Sequence, residues 1–129
     1  MLKILLAATD RQRLAGLKTA LEEHDDIRLF HAGSGDEALV TAKADKNIDL
    51  AVADEQLGDM SGLEYAERLL AVSAMISTAV VSPLDADEFH EVSEGLGVLM
   101  QLPPLPGKRE ADQLLARLRE IVRLTRPGN

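Results

Sequence analysis

Short apolar runs alternate with segments of helical periodicity along the whole chain. Two of the runs, ILLAA and LAVA, are apolar throughout, as is typical of strands that are buried on both faces of a parallel sheet. The other runs are equally short and are bounded by polar residues, which favours strands over helices. The predicted strands are Lys3–Ala8, Ile27–His31, Ile48–Ala53, Thr78–Val81 and Val98–Gln101.

The segments that follow these runs place apolar residues three and four positions apart, which is the spacing of one helix face. The clearest is the last segment, where alanine, leucine, isoleucine and valine share one face between Ala111 and Val122. RPGN then predicts the end of that helix, with residues 125–129 as a tail or the start of a linker. Three segments begin with the capping-box pattern, in which a hydroxyl residue precedes Glu or Gln by three positions: Thr9–Gln12, Ser34–Glu37 and Ser61–Glu64.

Strands that alternate with helices predict an α/β fold over residues 1–124, with a doubly wound, five-stranded parallel sheet covered on both faces. We expect the strand order 2-1-3-4-5, in which the strand order reverses between strands 1 and 3. Ligands of such sheets bind at the carboxyl ends of those two strands. Asp54 directly follows the third run, so the pattern predicts a carboxylate at that edge.

Composition excludes several classes of function. The net charge of −8 disfavours direct binding of nucleic acid or of an anionic membrane, and the 2% of aromatic residues leaves little for stacking sites. The chain has no cysteine for disulfide or thiol chemistry, which favours a cytoplasmic location. No apolar run approaches the roughly 20 residues of a membrane span.

The stretch DLAVADEQLGDMSGLE, residues 49–64, resembles the motif of response-regulator receiver domains, the CheY-like phosphoacceptor modules of two-component signalling. In that family an apolar strand ends on the acceptor aspartate, which falls here on Asp54, and Met60 and Gly62 match without a gap. GDEAL at residues 35–39 matches the family's usual Gly-x-Glu-Ala-Leu. The resemblance covers Met1 to about Val122, implies the flavodoxin-like receiver fold, and departs from the family at Leu57, Gly58 and Ser61.

A working receiver, by this resemblance, holds Mg²⁺ with the acceptor and an acidic pair after strand 1, and contacts the phosphoryl group with a lysine after strand 5. The acidic pair falls on Ala8 and Thr9, and the lysine falls on Leu102. Ser82 retains the hydroxyl that the family places after strand 4, although a turn before Pro83 is its simpler role. Asp10 and Asp54 remain as metal candidates, and the neighbouring loop acids are Glu55 and Asp59.

Loss of one preorganised charge-stabilising group costs about 10²–10³ in rate, so loss of both the acidic pair and the lysine predicts little phosphotransfer. We interpret the chain as a pseudo-receiver in phosphorelay signalling that is not an enzyme and has no cofactor. It would serve a protein partner or a fused output domain as a monomer or as a weak homodimer, centred on the last helix or on the first and last helices. The alternative is a receiver that takes a phosphoryl group on Asp54 from a histidine kinase, with Mg²⁺ as cofactor.

The histidines and the Leu102–Pro103 peptide bond do not change this interpretation. His24, His31 and His90 share no ligand spacing and predict no metal site. The peptide bond before the matching proline is cis in the family, which leaves cis or trans open for Leu102–Pro103.

Overall fold

The structure is a computed structural model that describes residues 1–125. Within these residues the chain forms five strands and five α-helices, with a 3₁₀ turn at Arg11–Leu14 before the first helix. The strands are β1 (Leu2–Ala7), β2 (Ile27–Ala32), β3 (Leu50–Ala53), β4 (Ser77–Val81) and β5 (Val98–Leu102). The helices are α1 (Ala15–Leu21), α2 (Gly35–Ala44), α3 (Gly62–Val72), α4 (Ala86–Ser93) and α5 (Lys108–Thr125).

The sheet has the order β2-β1-β3-β4-β5 and every pair is parallel, which confirms the predicted fold and strand order. β1 lies between β2 and β3, with Leu5 opposite Phe30 of β2 on one side and Ala51 of β3 on the other. The carboxyl ends of β1 and β3 therefore lie side by side. Asp54 follows β3 at this edge, and its backbone N–H donates to the carbonyl of Ala7 at 3.0 Å.

Helices cover both faces of the sheet, as the fully apolar runs require. One face of β1, which includes Ile4 and Leu6, packs with buried residues of α1 and α5. The opposite face, which includes Leu5, packs with buried residues of α2 and α3. Phe89 of α4 is buried in a smaller cluster with Ala66 of α3. The core is thus mainly aliphatic and lies in two layers, one on each side of the sheet.

The serines of two of the three predicted capping boxes cap their helices. The hydroxyl oxygen of Ser34 accepts from the N–H of Glu37, and that of Ser61 accepts from the N–H of Glu64, both at 3.1 Å. The prediction that Thr9 caps the first helix is wrong. Asp10 takes this role, because its extended backbone brings a carboxylate oxygen to 3.0 Å from the N–H of Gln12 at the start of the 3₁₀ turn.

No peptide bond within residues 1–125 is cis, so Leu102–Pro103 is trans. Residues 126–129, where the sequence predicts the end of α5 and a tail, lie outside the described part of the chain. Among the described residues, no helix is both long and apolar enough to cross a membrane.

Candidate functional site at Asp54

Asp54 is a buried carboxylate at the edge where parallel sheets of this kind bind ligands. The residue is 4% exposed, and all four residues of the apolar strand β3 before it are buried. One carboxylate oxygen, Oδ1, accepts from the backbone N–H of Glu55 at 2.8 Å. A charge in such a place requires a partner of opposite sign, because burial of an unpaired carboxylate is costly.

The partner is Arg13, which binds both carboxylate oxygens of Asp54. Its Nε donates to Oδ2 at 2.9 Å and its Nη2 donates to Oδ1 at 3.0 Å. This is the two-pronged geometry in which a planar guanidinium and a carboxylate interact most strongly. The hydrogen bond to Asp54, followed by the charge of Asp54, raises the pKa of Arg13. Both negatively charged oxygens of the acidic residue are therefore already neutralised by a cation from the chain itself.

The 3₁₀ turn positions Arg13 for this contact. Asp10 caps the turn, and the N–H of Arg13 donates to the carbonyl of Asp10 at 3.0 Å, which fixes the backbone close to the end of β1. The turn buries Leu14 against the sheet and leaves Arg13 at the carboxyl edge, beside Asp54. The side chain of Arg13 is 36% exposed, so one side of the pair faces solvent.

The positions that would hold an acidic pair and a lysine are apolar or turned away. Ala8 and Leu102 are buried in the core that β1 shares with α1 and α5, and Leu102 is 0% exposed. Thr9 is exposed, and its methyl group lies beside Gly58 in the loop after β3. None of these three side chains carries a charge, so none of them offsets or attracts a phosphoryl group.

Ser82 lies at the carboxyl end of β4, where its hydroxyl oxygen accepts from the N–H of Leu84 at 3.2 Å. This is the turn role that its position before Pro83 favours. Gln101 of β5 holds the same turn from the other side, because its Nε2 donates to the carbonyls of Ser82 at 3.1 Å and Leu84 at 2.6 Å. The loop between β4 and α4 is thus tied to β5 by a neutral amide.

The other acids near the site have separate structural roles. The carboxylate of Asp59 accepts from the N–H groups of Asp36 and Gly35, both at 2.8 Å, at the start of α2. These two backbone hydrogen bonds, that of Asp36 first, lower the pKa of Asp59. The exposed Asp10 caps the 3₁₀ turn, and Glu55 contributes its backbone N–H to Asp54.

The residues around Asp54 do not fit a Mg²⁺ site. Mg²⁺ requires several oxygen ligands, and both oxygens of Asp54 are bound to Arg13. Within the described part of the chain, no three carboxylate or histidine residues come together in a group able to hold a metal ion. The carboxylate of Asp54, which the sequence resemblance assigns to a divalent cation, is thus paired with the guanidinium of Arg13.

Sequence reasoning located Asp54 and Ser82 but missed Arg13 and Gln101. Arg13 is separated from Asp54 by 41 positions, and its role depends on a 3₁₀ turn that the capping-box pattern does not predict. A signal was nevertheless present. An uncompensated buried acid next to two neutral positions, Ala8 and Thr9, requires a cation, and Arg13 is a basic residue on the segment that follows strand 1.

Comparisons with known proteins agree with this architecture. No protein-family model and no curated protein sequence matches the chain. The receiver domain of a Francisella response regulator matches with a TM-score of 0.80 and 24% identity, covering 98% of this chain and 100% of that one. A CheY-like receiver domain protein from Methanospirillum hungatei matches with a TM-score of 0.80 and 20% identity, covering 96% and 98%. A putative pilus assembly protein from Burkholderia thailandensis matches with a TM-score of 0.75 and 21% identity, covering 93% and 99%.

The class of fold follows from these matches together with the strand order. The chain has the fold of CheY-like response-regulator receiver domains, as the sequence resemblance implied. At 16–24% identity the likeness concerns the fold, and the function has to be argued from the site.

Proposed function

We propose that this chain is an atypical receiver domain of two-component signal transduction that acts as a protein-interaction module, with phosphotransfer to Asp54 impaired. The observation that carries the proposal is the two-pronged ion pair between Arg13 and Asp54. The receiver fold and the acid at its functional edge support a signalling role, and the neighbours of the acid argue against the chemistry.

Phosphorylation requires an oxygen of Asp54 to attack phosphorus while the bond to the leaving group breaks. Two obstacles oppose this step. Both oxygens already accept hydrogen bonds from the guanidinium of Arg13, which draws negative charge from them and makes either oxygen a weaker nucleophile. The second obstacle is the lack of charge stabilisation for the incoming phosphoryl group. Buried Ala8 and Leu102 align with the positions at which a metal ligand and a lysine would stabilise its charge. Each lost stabilising element costs about 10²–10³ in rate, although losses within one site are not additive.

A protein-interaction role has support from the same edge of the sheet. A cleft of about 200 Å³ opens between the loops that follow β3 and β4, and it is lined in part by Leu63, Val81, Pro83 and Leu84. Solved neighbours with this fold include a CheB response regulator domain and a putative pilus assembly protein, so the fold is compatible with different outputs. We expect a protein partner or a fused output domain, and a cytoplasmic location.

Association between copies is expected to be weak. The apolar stripe of α5 is used within the domain, where Leu114, Leu115 and Leu118 are buried. Little of that face is left for a second chain, so we propose a monomer or a weak homodimer. Light scattering at micromolar concentration tests this, and a tight tetramer would contradict it.

Exposure to acetyl phosphate and Mg²⁺, followed by intact-mass measurement, tests the impaired chemistry. We expect no mass gain of one phosphoryl group under conditions in which a receiver with an intact acidic pair is modified. The Asp54→Asn variant is the matched control, since it removes the acceptor and keeps the side-chain shape. A phosphoryl adduct on the natural chain that Asp54→Asn abolishes would establish the alternative, a phosphorylatable receiver served by a histidine kinase.

A further inference from the structure

A small basic concavity lies beside the 3₁₀ turn. It is formed by the turn, α1 and β2, and three basic side chains contribute to its lining: Arg11, Lys18 and His31. Its floor is apolar and consists of buried core residues: Leu6, Ala8, Leu14 and Ala32. The free volume is about 10 Å³, so at most one ligand oxygen enters it and the rest of a ligand lies at its mouth.

The basic groups of this concavity lack full partners. Among residues 1–125, no carboxylate forms an ion pair with Arg11 and no group hydrogen-bonds the ring of half-buried His31. Lys18 lies 3.4 Å from Glu22, but both are exposed, and such a pair contributes little. By contrast, Arg13 and Arg119 are held by carboxylates in two-pronged pairs. In a chain of net charge −8, this is a local excess of positive charge.

The pKa of His31 responds to burial and to both cations of the concavity, Arg11 and Lys18. Burial lowers the pKa of His31, and the charges of Arg11 and Lys18 lower it further, while Glu22 acts in the opposite direction. The imidazole is therefore mostly neutral at pH 7, and two cations face it without an anion between them. An anion at this place would relieve the repulsion and would favour the protonated ring.

We propose that the concavity lined by Arg11, Lys18 and His31 binds a phosphate group, carried by inorganic phosphate or by a phosphate monoester. The guanidinium of Arg11 matches two phosphate oxygens in a planar fork, and Lys18 adds a compact positive charge. A phosphate group carries a charge of about −1.5 to −2 at pH 7, which also suits a third donor from a protonated His31. The site uses none of the atoms that bind Asp54, so it does not depend on the proposed receiver function.

Linkage supplies the test. If phosphate binds better when His31 is protonated, phosphate must raise the pKa of His31 by the same coupling. An NMR titration of the histidine ring signals in the full chain, with and without inorganic phosphate, measures this directly. We expect phosphate to raise the pKa of His31 in a saturable manner, by about one pH unit. The ring signals of exposed His90 should show no phosphate-dependent change. Phosphoserine is the second probe; a larger effect than that of inorganic phosphate identifies a monoester as the better ligand, and an equal effect identifies the phosphate group alone.

Two variants and one salt complete the design. Arg11→Gln removes an exposed guanidinium and should weaken phosphate binding about tenfold, because a charge-assisted hydrogen bond is lost. Lys43→Gln makes the same charge change on α2, on the opposite face of the sheet, and should leave the affinity unchanged. Sodium chloride at matched ionic strength measures simple screening. A shift of His31 that sodium chloride reproduces, or that Arg11→Gln leaves intact, would overturn the proposal.

Discussion

Gly62 begins α3 directly against the main-chain carbonyl of Asp54. A Cβ added to Gly62 would overlap that carbonyl oxygen and would lie 3.0 Å from Cγ1 of Val80. The N–H of Gly62 also donates to the carbonyl of Glu55 at 2.9 Å, which holds the helix start in place. The absence of a side chain at this position therefore sets how closely α3 approaches the acidic end of β3.

Replacement of Gly62 by alanine should destabilise the domain by roughly 1–3 kcal/mol, because the backbone of β3 or of α3 has to move to accept the methyl group. Chemical denaturation measures the change. Gly33→Ala is the matched control, since a Cβ at Gly33 meets only the carboxylate of Glu37 at an ordinary 3.6 Å. Equal effects of the two substitutions would show that the close approach at Gly62 is relaxed at little cost.

The Arg13–Asp54 pair should respond unequally to loss of its two members. Arg13→Gln leaves a buried carboxylate with one backbone N–H, and we expect a loss of about 2 kcal/mol, reduced from the fully buried case because solvent reaches one side. Asp54→Asn releases a guanidinium that can turn into water, so the loss should be below about 1 kcal/mol. Urea denaturation of both variants and the double variant measures the asymmetry.

The surface pair of Arg68 and Glu64 on α3 calibrates this experiment. Arg68→Gln should cost no more than about 0.5 kcal/mol, as is usual for an exposed pair one turn apart. If Arg13→Gln is as mild as Arg68→Gln, then Asp54 does not need its partner and the pair adds little to stability.

The sequence resemblance aligns Leu102 with the receiver lysine, and its buried surroundings predict that a lysine is not accommodated there. Leu102→Lys places an ammonium group among leucines of α1 and α5, and should destabilise the domain by more than about 3 kcal/mol. Leu102→Met keeps the volume and should cost under about 1.5 kcal/mol. Thermal unfolding compares the two. A Leu102→Lys variant as stable as Leu102→Met would mean that the strand end rotates to expose this side chain.

His31 should make the stability depend on pH in a defined direction. Because its pKa is lowered in the folded state from an ordinary value of 6.5, the unfolded chain binds the proton first as the pH falls. The contribution of His31 to stability is full above about pH 6.5 and is lost as the pH falls from there through the lower pKa of the folded state. The aspartates with lowered pKa, among them Asp26, lose their contribution only at pH values below about 4.

Urea unfolding between about pH 7.5 and 5.5 separates these windows. His31→Gln should flatten the decline in that range, whereas His90→Gln, at an exposed position of α4, should leave it unchanged. A decline that persists in full without His31 would assign it to other groups.

Magnesium should not stabilise the natural chain. A bound metal adds stability as RT ln(1 + [Mg²⁺]/Kd), and the single carboxylate of this site is already paired with Arg13. We expect no melting shift in about 10 mM MgCl₂ beyond that of sodium chloride at equal ionic strength, and none on addition of beryllofluoride. Ala8→Asp with Thr9→Asp should lower stability without metal, since carboxylates then crowd one edge, and should create a gain that depends on Mg²⁺. A saturable Mg²⁺-dependent shift of the melting temperature of the natural chain that Asp54→Ala abolishes would show that Asp54 does bind the metal, and would contradict this prediction.

The fold was predictable because it depends on the local, periodic pattern of apolar residues along the chain. Continuous apolar runs such as LAVA specify strands buried on both faces, and their alternation with helical segments specifies a parallel sheet covered on both sides. The boundaries moved by one or two residues, as at β3, which begins at Leu50 rather than Ile48. Burial and periodicity tolerate such shifts.

The partners of the site were less predictable because they depend on single side-chain directions. A one-residue shift of the cap from Thr9 to Asp10 sets the 3₁₀ turn, and with it the place of Arg13. Gln101 adjoins the lysine position, yet its role appears only once β5 is paired with β4 and the turn at Ser82 comes within reach of its amide. Hydrophobic patterns do not predict which polar side chains meet when the residues are this far apart along the chain.

The place of β1 between β2 and β3 has a consequence for how the chain folds during synthesis. β1 meets β2 early, since Leu2 pairs with Ile27, but its other edge stays open until Leu50 arrives opposite Ile4. Each later pairing joins strands that are much closer along the chain, as in Leu50 with Ser77 and Thr78 with Val98. Closure of the longest loop therefore precedes completion of the sheet, and loop closure grows only slowly in cost with length. A ribosome-bound fragment that ends before β3 would expose an unpaired apolar strand edge, so the first two strands with α1 form the segment of this protein most in need of protection while it is being made.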